Sequence, residues 1–534
     1  MEENERRFEQ DIESYLISKD GGYVKVCPQD FDRECALNKK DLFTFIESSQ
    51  KNEWDRYRKA FPEDYENRFI KRFNEEVVQR GIIDVVRNGI TDRGYKFKLA
   101  YFQPETNLNP EDRKLYEMNI LNETRQLKYS TQNVNSIDIV LLLNGIPLVA
   151  LELKNQITGQ NSENAQKQFM YDRDPRELIF KFNSRIIVYF AVDHYDVKMT
   201  TKLAGPNTRY LPFNQGSNGA GNVGGAGNPT NLNGYTTDYL WKNVLKKDSL
   251  MEIIQKFVHL EVKEEIEHKN GKEKKIEKRN IIFPRYHQLD VVRKLIWNVR
   301  DCGVGHNYLI QHSAGSGKSN SIAWLAHRLS GLHDKNNNAV FNSIIVVTDR
   351  TVLDKQLQDT IYQFEHQRGV VVKIDDDKTS QDLKDAINDG KRIIITTLQK
   401  FPVIYKDVSD TAGKKFAVIV DEAHSSQTGN SAKKLKIALA DRDEALKKYA
   451  ELEAIAEENE KDYEDKIVEE LVTHGKQDNL SFFAFTATPK GKTLELFGTK
   501  QQDGTFRPFH IYSMRQAIEE EFILDVLANY MTYE

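Results

Sequence analysis

Past Pro284 the chain alternates short apolar runs with stretches of helical periodicity. The runs lie at Asn307–Gln311, Ser343–Val347, Arg392–Thr396, Phe416–Val420 and Phe482–Thr486. Strands this short and apolar, separated this regularly by helices, have one good solution. It is a parallel sheet with crossovers on both faces, because parallel neighbours cannot be joined by a tight turn. The C-terminal half is therefore α/β before any functional residue is considered.

At 534 residues the chain holds about three or four domains by length alone. Its 76 Lys+Arg against 81 Asp+Glu, net charge of −5, 39% hydrophobic and 29% charged residues are those of an ordinary globular protein and exclude wholesale disorder. No apolar span reaches membrane-crossing length. The start, Met1-Glu2-Glu3-Asn4-Glu5-Arg6-Arg7, lacks the basic and apolar regions of a secretory signal, so the expected compartment is the cytoplasm, with no membrane partner. Cys27, Cys35 and Cys302 lack the spacing of a zinc site or a disulfide framework. With charge nearly balanced, nucleic-acid binding has to come from local basic patches.

From Glu5 to about Arg80 the texture is helical and charged, with Ile46, Phe61, Ile70, Phe73, Val77 and Val78 near helical spacing. Two apolar runs then flank Asn144-Gly145, Ile137–Leu143 and Ile146–Leu153, which is a hairpin signal, and Arg185–Val192 reads as a further strand. Gln215–Gly234, with seven glycines and five asparagines, has little to bury and is expected to be a poorly ordered loop tip. Phe257–Ile282 predicts an exposed, charged hairpin around Asn270-Gly271, and the Glu/Lys/Ala-rich block 432–477 predicts helices inserted at the edge of the parallel sheet.

The run His312-Ser313-Ala314-Gly315-Ser316-Gly317-Lys318-Ser319 follows the strand at Tyr308–Gln311 and precedes a helix predicted over Asn320–Leu329. Gly315 and Gly317 let consecutive N–H groups, that of Ser316 among them, turn towards phosphate oxygens. Lys318 neutralises β/γ charge and Ser319 offers an oxygen to Mg²⁺. His312 stands where the G-x-x-x-x-G-K-[ST] pattern has its first glycine, and the tight part of the loop is kept. Alone, such a run also describes a surface turn. Asp421-Glu422-Ala423-His424, ending the strand at Phe416–Val420, disfavours that alternative, since two acids at a strand end are costly unless a cation sits there. Asp421 is expected to hold the Mg²⁺ water shell and Glu422 to orient or deprotonate the attacking water. Thr486-Ala487-Thr488-Pro489 brings hydroxyls to the same sheet edge.

A second constellation is Asp138, Glu152 and Lys154. Glu152 and Lys154 are two apart and share a strand face, with Leu151 and Leu153 on the other. With a bulge at Gly145 the pairing puts Asp138 directly across from Glu152, whereas an unbulged two-residue turn misaligns them. Two carboxylates so placed repel unless a divalent metal bridges them. That metal would polarise a phosphodiester, with Lys154 stabilising the developing charge. A solvated surface hairpin is the plain alternative. The apolar flanks argue against it by making both strands central.

The P-loop, Asp421-Glu422 and Thr486-Ala487-Thr488 resemble the first motor domain of superfamily 2 helicases and translocases over roughly residues 285–500. That resemblance implies that Gln288, in Arg285-Tyr286-His287-Gln288, reads adenine. It also implies that Thr348 and Arg350, in Thr348-Asp349-Arg350, and Thr397 and Lys400, in Thr396-Thr397-Leu398-Gln399-Lys400, grip the DNA backbone, although the same residues also suit helix caps. The Asp…Glu-x-Lys pattern resembles the core of the restriction-type nuclease fold. Joined to such a motor, it resembles the restriction (motor) subunit of type I restriction-modification enzymes. Asn144-Gly145-Ile146-Pro147-Leu148, Glu152-Leu153-Lys154-Asn155, Gln168-Phe169-Met170-Tyr171-Asp172-Arg173-Asp174-Pro175 and Tyr512-Ser513-Met514-Arg515-Gln516-Ala517-Ile518-Glu519-Glu520 carry that likeness. Related nucleases have a Gln-x-x-x-Tyr element, for which Gln168 is kept as a catalytic residue, while Tyr171 is one residue short of the spacing.

The implied fold is an α/β restriction-type nuclease domain, a mixed sheet with flanking helices, over residues 1–250, then a connecting hairpin at 251–284. A RecA-like parallel-sheet helicase domain follows at 285–504, with its helical insert at 432–477, and a second motor domain starts at 505–534. The implied activity is that of an ATP-dependent type I site-specific deoxyribonuclease. It would translocate and cleave double-stranded DNA with ATP and Mg²⁺, in complex with separate modification (methyltransferase) and specificity subunits. Lacking most of a second lobe, the chain is expected to be a fragment that binds ATP weakly and hydrolyses little. A different class of reading is an RNA/DNA helicase fragment with a non-catalytic N-terminal binding module.

Overall fold

The computed structural model describes residues 2–106, 108–156, 159–269, 272–348, 352–364, 369–374, 380–397, 413–421, 478–489 and 491–522. The chain divides into two compact units, one of residues 1–217 and 227–286, the other of 218–226 and 287–534.

The first unit is built on a seven-stranded mixed sheet in which order along the chain is order across the sheet: β1 (Val24–Lys25), β2 (Leu121–Lys128), β3 (Ser136–Leu143), β4 (Ile146–Leu153), β5 (Val188–Val192), β6 (Val197–Thr200) and β7 (Leu211–Pro212). β3 and β4 sit near the middle and are buried along almost their whole length, which is why their sequences are continuous apolar runs without alternation. Helix α1 (Glu2–Leu16) turns Phe8, Ile12 and Leu16 inward at helical spacing, and all three are buried. The β4–β5 crossover carries a second helix, α2 (Ser162–Tyr171), opened by a capping box at Asn161. Its Phe169 packs with Val140, Leu142, Ala150 and Tyr189.

The β3–β4 connection is a two-residue turn with positive φ at both Asn144 (50°) and Gly145 (79°). It is also buried. The Asn144 side chain donates to Leu99 O and Asn119 Oδ1 and accepts the Ile120 N–H, and a side chain at Gly145 would run into the Asn38 backbone. Pairing runs Leu143↔Ile146 and Leu142↔Pro147, shifts, and continues Leu141↔Val149 to Ile139↔Leu151. The extra residue therefore lies inside β4 at Leu148, not in the turn at Gly145. Asn144 and Gly145 already close a tight turn, and Pro147, lacking an N–H, weakens the ladder where the shift occurs.

An eleven-residue antiparallel ladder, β8 (His259–Lys269) with β9 (Lys272–Ile282), belongs to the same unit, and its turn at Asn270-Gly271 lies outside the described residues.

The second unit has a seven-stranded parallel sheet. Its strands are β10 (Asn307–His312), β11 (Ser343–Thr348), β12 (Val371–Ile374), β13 (Ile393–Thr397), β14 (Phe416–Asp421), β15 (Leu480–Thr486) and β16 (His510–Tyr512), in the order β12-β13-β11-β14-β15-β10-β16. Leu309, Ile345, Val347, Ile394, Val418, Phe482 and Ala484 form one core on it. The insert at 432–477 lies outside the described residues.

The glycine-rich segment departs from expectation. Residues 218–226 are an ordered part of the second unit, where the Ile511 N–H donates to Gly221 O (3.0 Å), Lys294 to Ala220 O (2.9 Å), Ser513 to Gly224 O (2.8 Å) and the Ala226 N–H to Glu519 (2.8 Å). With almost nothing to bury, the segment is fixed through its backbone. A side chain at Gly221 would strike the His510 ring.

Candidate functional site

In the first unit the β3–β4 ladder ends at Ile139↔Leu151. The next step of that register sets Asp138 across from Glu152 on the same face, while Glu152 itself pairs with Ala191 of β5. The strands part here. Asp138 Oδ2 accepts the Leu153 N–H (2.7 Å), and Oδ1 accepts from the Gln126 amide (3.1 Å). Gln126 has φ +51° and also donates to Glu9 Oε1 (2.9 Å), so a third buried acid lies behind the pair.

Glu152 is fully buried. Burial first, and Asp138 second, push its ionisation well above the usual carboxylate range, with Arg173 and Lys154 pulling it back. Both Arg173 Nε (3.0 Å) and Nη2 (2.6 Å) donate to Oε1, while Oε2 is buried with no hydrogen-bond partner. The Tyr210 hydroxyl, similarly buried and unpartnered, is pushed up by burial and by the Glu152 charge. Lys154 is half-buried on the Glu152 face. Gln168, half-buried in α2, makes no hydrogen bond to either carboxylate, and Tyr171 is 65% exposed. The residue that reaches Glu152 from this segment is Arg173. Sequence gave no sign of that choice, because the contact closes over 21 residues and Arg173 has an acid on either side, Asp172 and Asp174.

The donor set fits a hard divalent cation. Mg²⁺ commonly takes one or two protein carboxylates and completes its shell with water and phosphate. Here two carboxylates face each other and one oxygen is orphaned. Among the described residues no group of three or more His, Cys, Asp or Glu side chains is placed to hold a metal, so a cation here would rest on these two carboxylates and take the rest of its shell from water or phosphate.

In the second unit the sequence motifs gather at the C-terminal edge of the parallel sheet, where open α/β sheets bind ligands. The P-loop leaves β10. Asp421 ends β14, Thr486 ends β15, and Thr348 and Thr397 pair at the ends of β11 and β13. Gly317 (φ 81°) precedes a third helix, α3 (Lys318–Ser330), so Ser319 lies in its first turn. A side chain at 317 would collide with Gln288. Gly315 also takes positive φ (73°), and Ser316 is buried. The Gln288 amide donates to Ser316 O (3.3 Å) and Gly317 O (3.0 Å), and Lys318 Nζ donates to His312 O (3.2 Å). Glu422, Arg350 and Lys400 lie outside the described residues, as does the Thr397 side chain.

Sequence reasoning missed what stands under this loop. His312 Nε2 meets His510 Nδ1 (2.9 Å), whose Nε2 meets Asp290 Oδ2 (3.0 Å), and Lys294 pairs with the same carboxylate (2.7 Å). His287 stacks on Tyr512 with ring centroids 3.9 Å apart. A histidine in place of the first P-loop glycine was the visible signal.

Two family models match the chain: SWI2/SNF2 ATPase over residues 287–533, and type I restriction enzyme R protein N terminus (HSDR_N) over residues 4–208. The two models match separate parts of the chain, the restriction R protein N terminus in the first unit and the SWI2/SNF2 ATPase in the second. Among its relatives are the putative type I restriction enzyme MjaVIIIP endonuclease subunit of Methanocaldococcus jannaschii, 24% identical over 71% of this chain and 36% of the relative, and the HindI endonuclease subunit of Haemophilus influenzae, 27% identical over 55% and 26%. The SsaAORF53P endonuclease subunit of Staphylococcus saprophyticus is 24% identical over 55% and 28%. The chain thus spans between 26% and 36% of the length of these relatives. The fold is α/β, and the second unit carries a RecA-like ATPase domain of the SNF2 type. No described helix is long and apolar enough to cross a membrane.

Proposed function

We propose that this R-type chain belongs to an ATP-driven DNA translocase and endonuclease that cuts double-stranded DNA within a type I restriction complex in the cytoplasm, beside separate modification and specificity subunits. The observation that carries the reading is the convergence of Asp138 and Glu152 at the end of their ladder, with a buried, unpartnered oxygen on Glu152, in the unit matched by the R protein N terminus. The other unit holds the P-loop and Asp421 at one sheet edge.

Mg²⁺ bound between the two acids would neutralise charge on the phosphodiester and acidify a water at neutral pH. Asp138 and Glu152 hold that charge in place, and Lys154, on the same face, balances charge developing on the phosphate. In the motor, Gly315, Ser316 and Gly317 present backbone N–H groups to ATP phosphates, Lys318 leaves His312 O for them, and Ser319 and Asp421 hold the nucleotide's Mg²⁺. Gln288 sets the loop and reads the base. Glu422 serves the attacking water, and Thr348, Arg350, Thr397 and Lys400 meet the DNA backbone.

The test uses the full-length subunit assembled with its modification and specificity partners. Glu152→Ala or Asp138→Ala is expected to abolish DNA cleavage and leave DNA-dependent ATP hydrolysis near the unsubstituted level. Cleavage at the unsubstituted rate would instead make the N-terminal unit a binding module.

A further inference from the structure

We infer that Arg173 is the positioning residue of the nuclease site: it takes one oxygen of Glu152 and sets the other, with Asp138, to receive the divalent cation. This rests on the reading of Asp138 and Glu152 as the ion-holding pair.

An arginine fork on a carboxylate usually spends its two parallel N–H bonds on two oxygens. Here both converge on Oε1, and Oε2 is left buried with no hydrogen bond. Leaving a buried carboxylate oxygen unpaired is expensive unless something else takes it. Arg173 is itself 2% exposed and held independently of Glu152, since Nη2 also donates to Ser136 O (2.7 Å) and the guanidinium lies 5.5 Å from the centroid of the Tyr129 ring. Ser136 opens β3 two residues before Asp138. One guanidinium therefore ties the strand of the first acid to the side chain of the second, beyond the last rung of their ladder. Nothing in the arrangement requires Arg173 to leave when an ion arrives at Oε2. The opposite role, a plug that occupies the cation's place, would need it to withdraw.

The two roles predict opposite results. Mn²⁺ is titrated into the 534-residue chain, and free ion is followed by electron paramagnetic resonance. The unsubstituted chain is expected to bind Mn²⁺ and Glu152→Gln to lose that binding. Arg173→Gln is expected to bind about 10-fold or more weakly, the usual loss when the partner of a metal ligand is removed. Arg173→Lys, which keeps the charge but not the fork, should fall between, and it decides the matter if Arg173→Gln does not fold. Affinity unchanged or raised in Arg173→Gln, or affinity equal to the unsubstituted chain in Arg173→Lys, overturns the positioning role. Absence of Mn²⁺ binding in the unsubstituted chain overturns the ion-holding pair itself.

Discussion

The carboxylate of Asp138 accepts the backbone N–H of Leu153 at 2.7 Å, which pins β3 to β4 just past the point where their ladder ends. Asp138 is thus both a charge at the site and a structural acceptor. Asp138→Ala strands a buried N–H and should cost about 1–3 kcal/mol in urea unfolding. Asp138→Asn, which can still present an oxygen to Leu153, should cost clearly less while losing cleavage to the same extent. Equal destabilisation by both would mean that the Leu153 bond contributes little.

Glu123 in β2 is fully buried, neither of its oxygens has a hydrogen bond, and burial, with Glu13 next, raises its pKa to about 8. A group whose folded pKa exceeds its unfolded value stabilises fully below the latter, here 4.5, and loses that contribution as pH rises towards about 8. Glu123→Gln should therefore raise the melting temperature of the first unit at pH 8, by on the order of 2–4 kcal/mol of stability, and leave it unchanged near pH 4.5. A gain of the same size at both pH values would contradict the assignment.

Lys318 and the two acids lie in separate compact units. Lys318→Ala should abolish ATP-dependent translocation in the assembled complex, and with it cleavage. It should leave Mn²⁺ affinity at Asp138 and Glu152 unchanged, as expected of two sites that are built by separate units and act independently. A large loss of Mn²⁺ affinity would show that the two sites are not independent.

Burial holds the His510 pKa below its ordinary 6.5 even though Asp290 opposes it. The unfolded chain then takes up a proton before the folded one does, so the stability of the second unit should fall as pH drops from about 6.5. His510→Gln should flatten that slope in thermal melts between pH 5 and 7. It should also lower stability at pH 7 by about 1–3 kcal/mol, because the partners of the ring are left buried. An unchanged slope would place the acid sensitivity elsewhere.

Much of the path to these sites was legible in the sequence. Two-residue periodicity put Glu152 and Lys154 on one face, and the apolar flanks made β3 and β4 central. The βα alternation brought the P-loop, Asp421 and Thr486 to one edge. The register expected from a bulge at Gly145 is the one found from Leu141↔Val149 onward, but the turn has two residues and the extra residue sits at Leu148, where Pro147 weakens the ladder. What escaped was long-range and side-chain specific. Arg173 reaches Glu152 over 21 residues, His510 reaches His312 over 198, and Gln126 bridges two acids through a backbone conformation no periodicity reveals. Glycines at 219, 221, 224 and 225 suggested a loose tip because composition reports missing side chains, while the structure fixes this segment through backbone groups.

Crystals of the chain grown with Mn²⁺ and measured for anomalous scattering test the central claim most directly. A peak within bonding distance of Asp138 and Glu152 Oε2, lost in Glu152→Gln crystals, is the predicted result. Saturating Mn²⁺ with no peak between those carboxylates would contradict it.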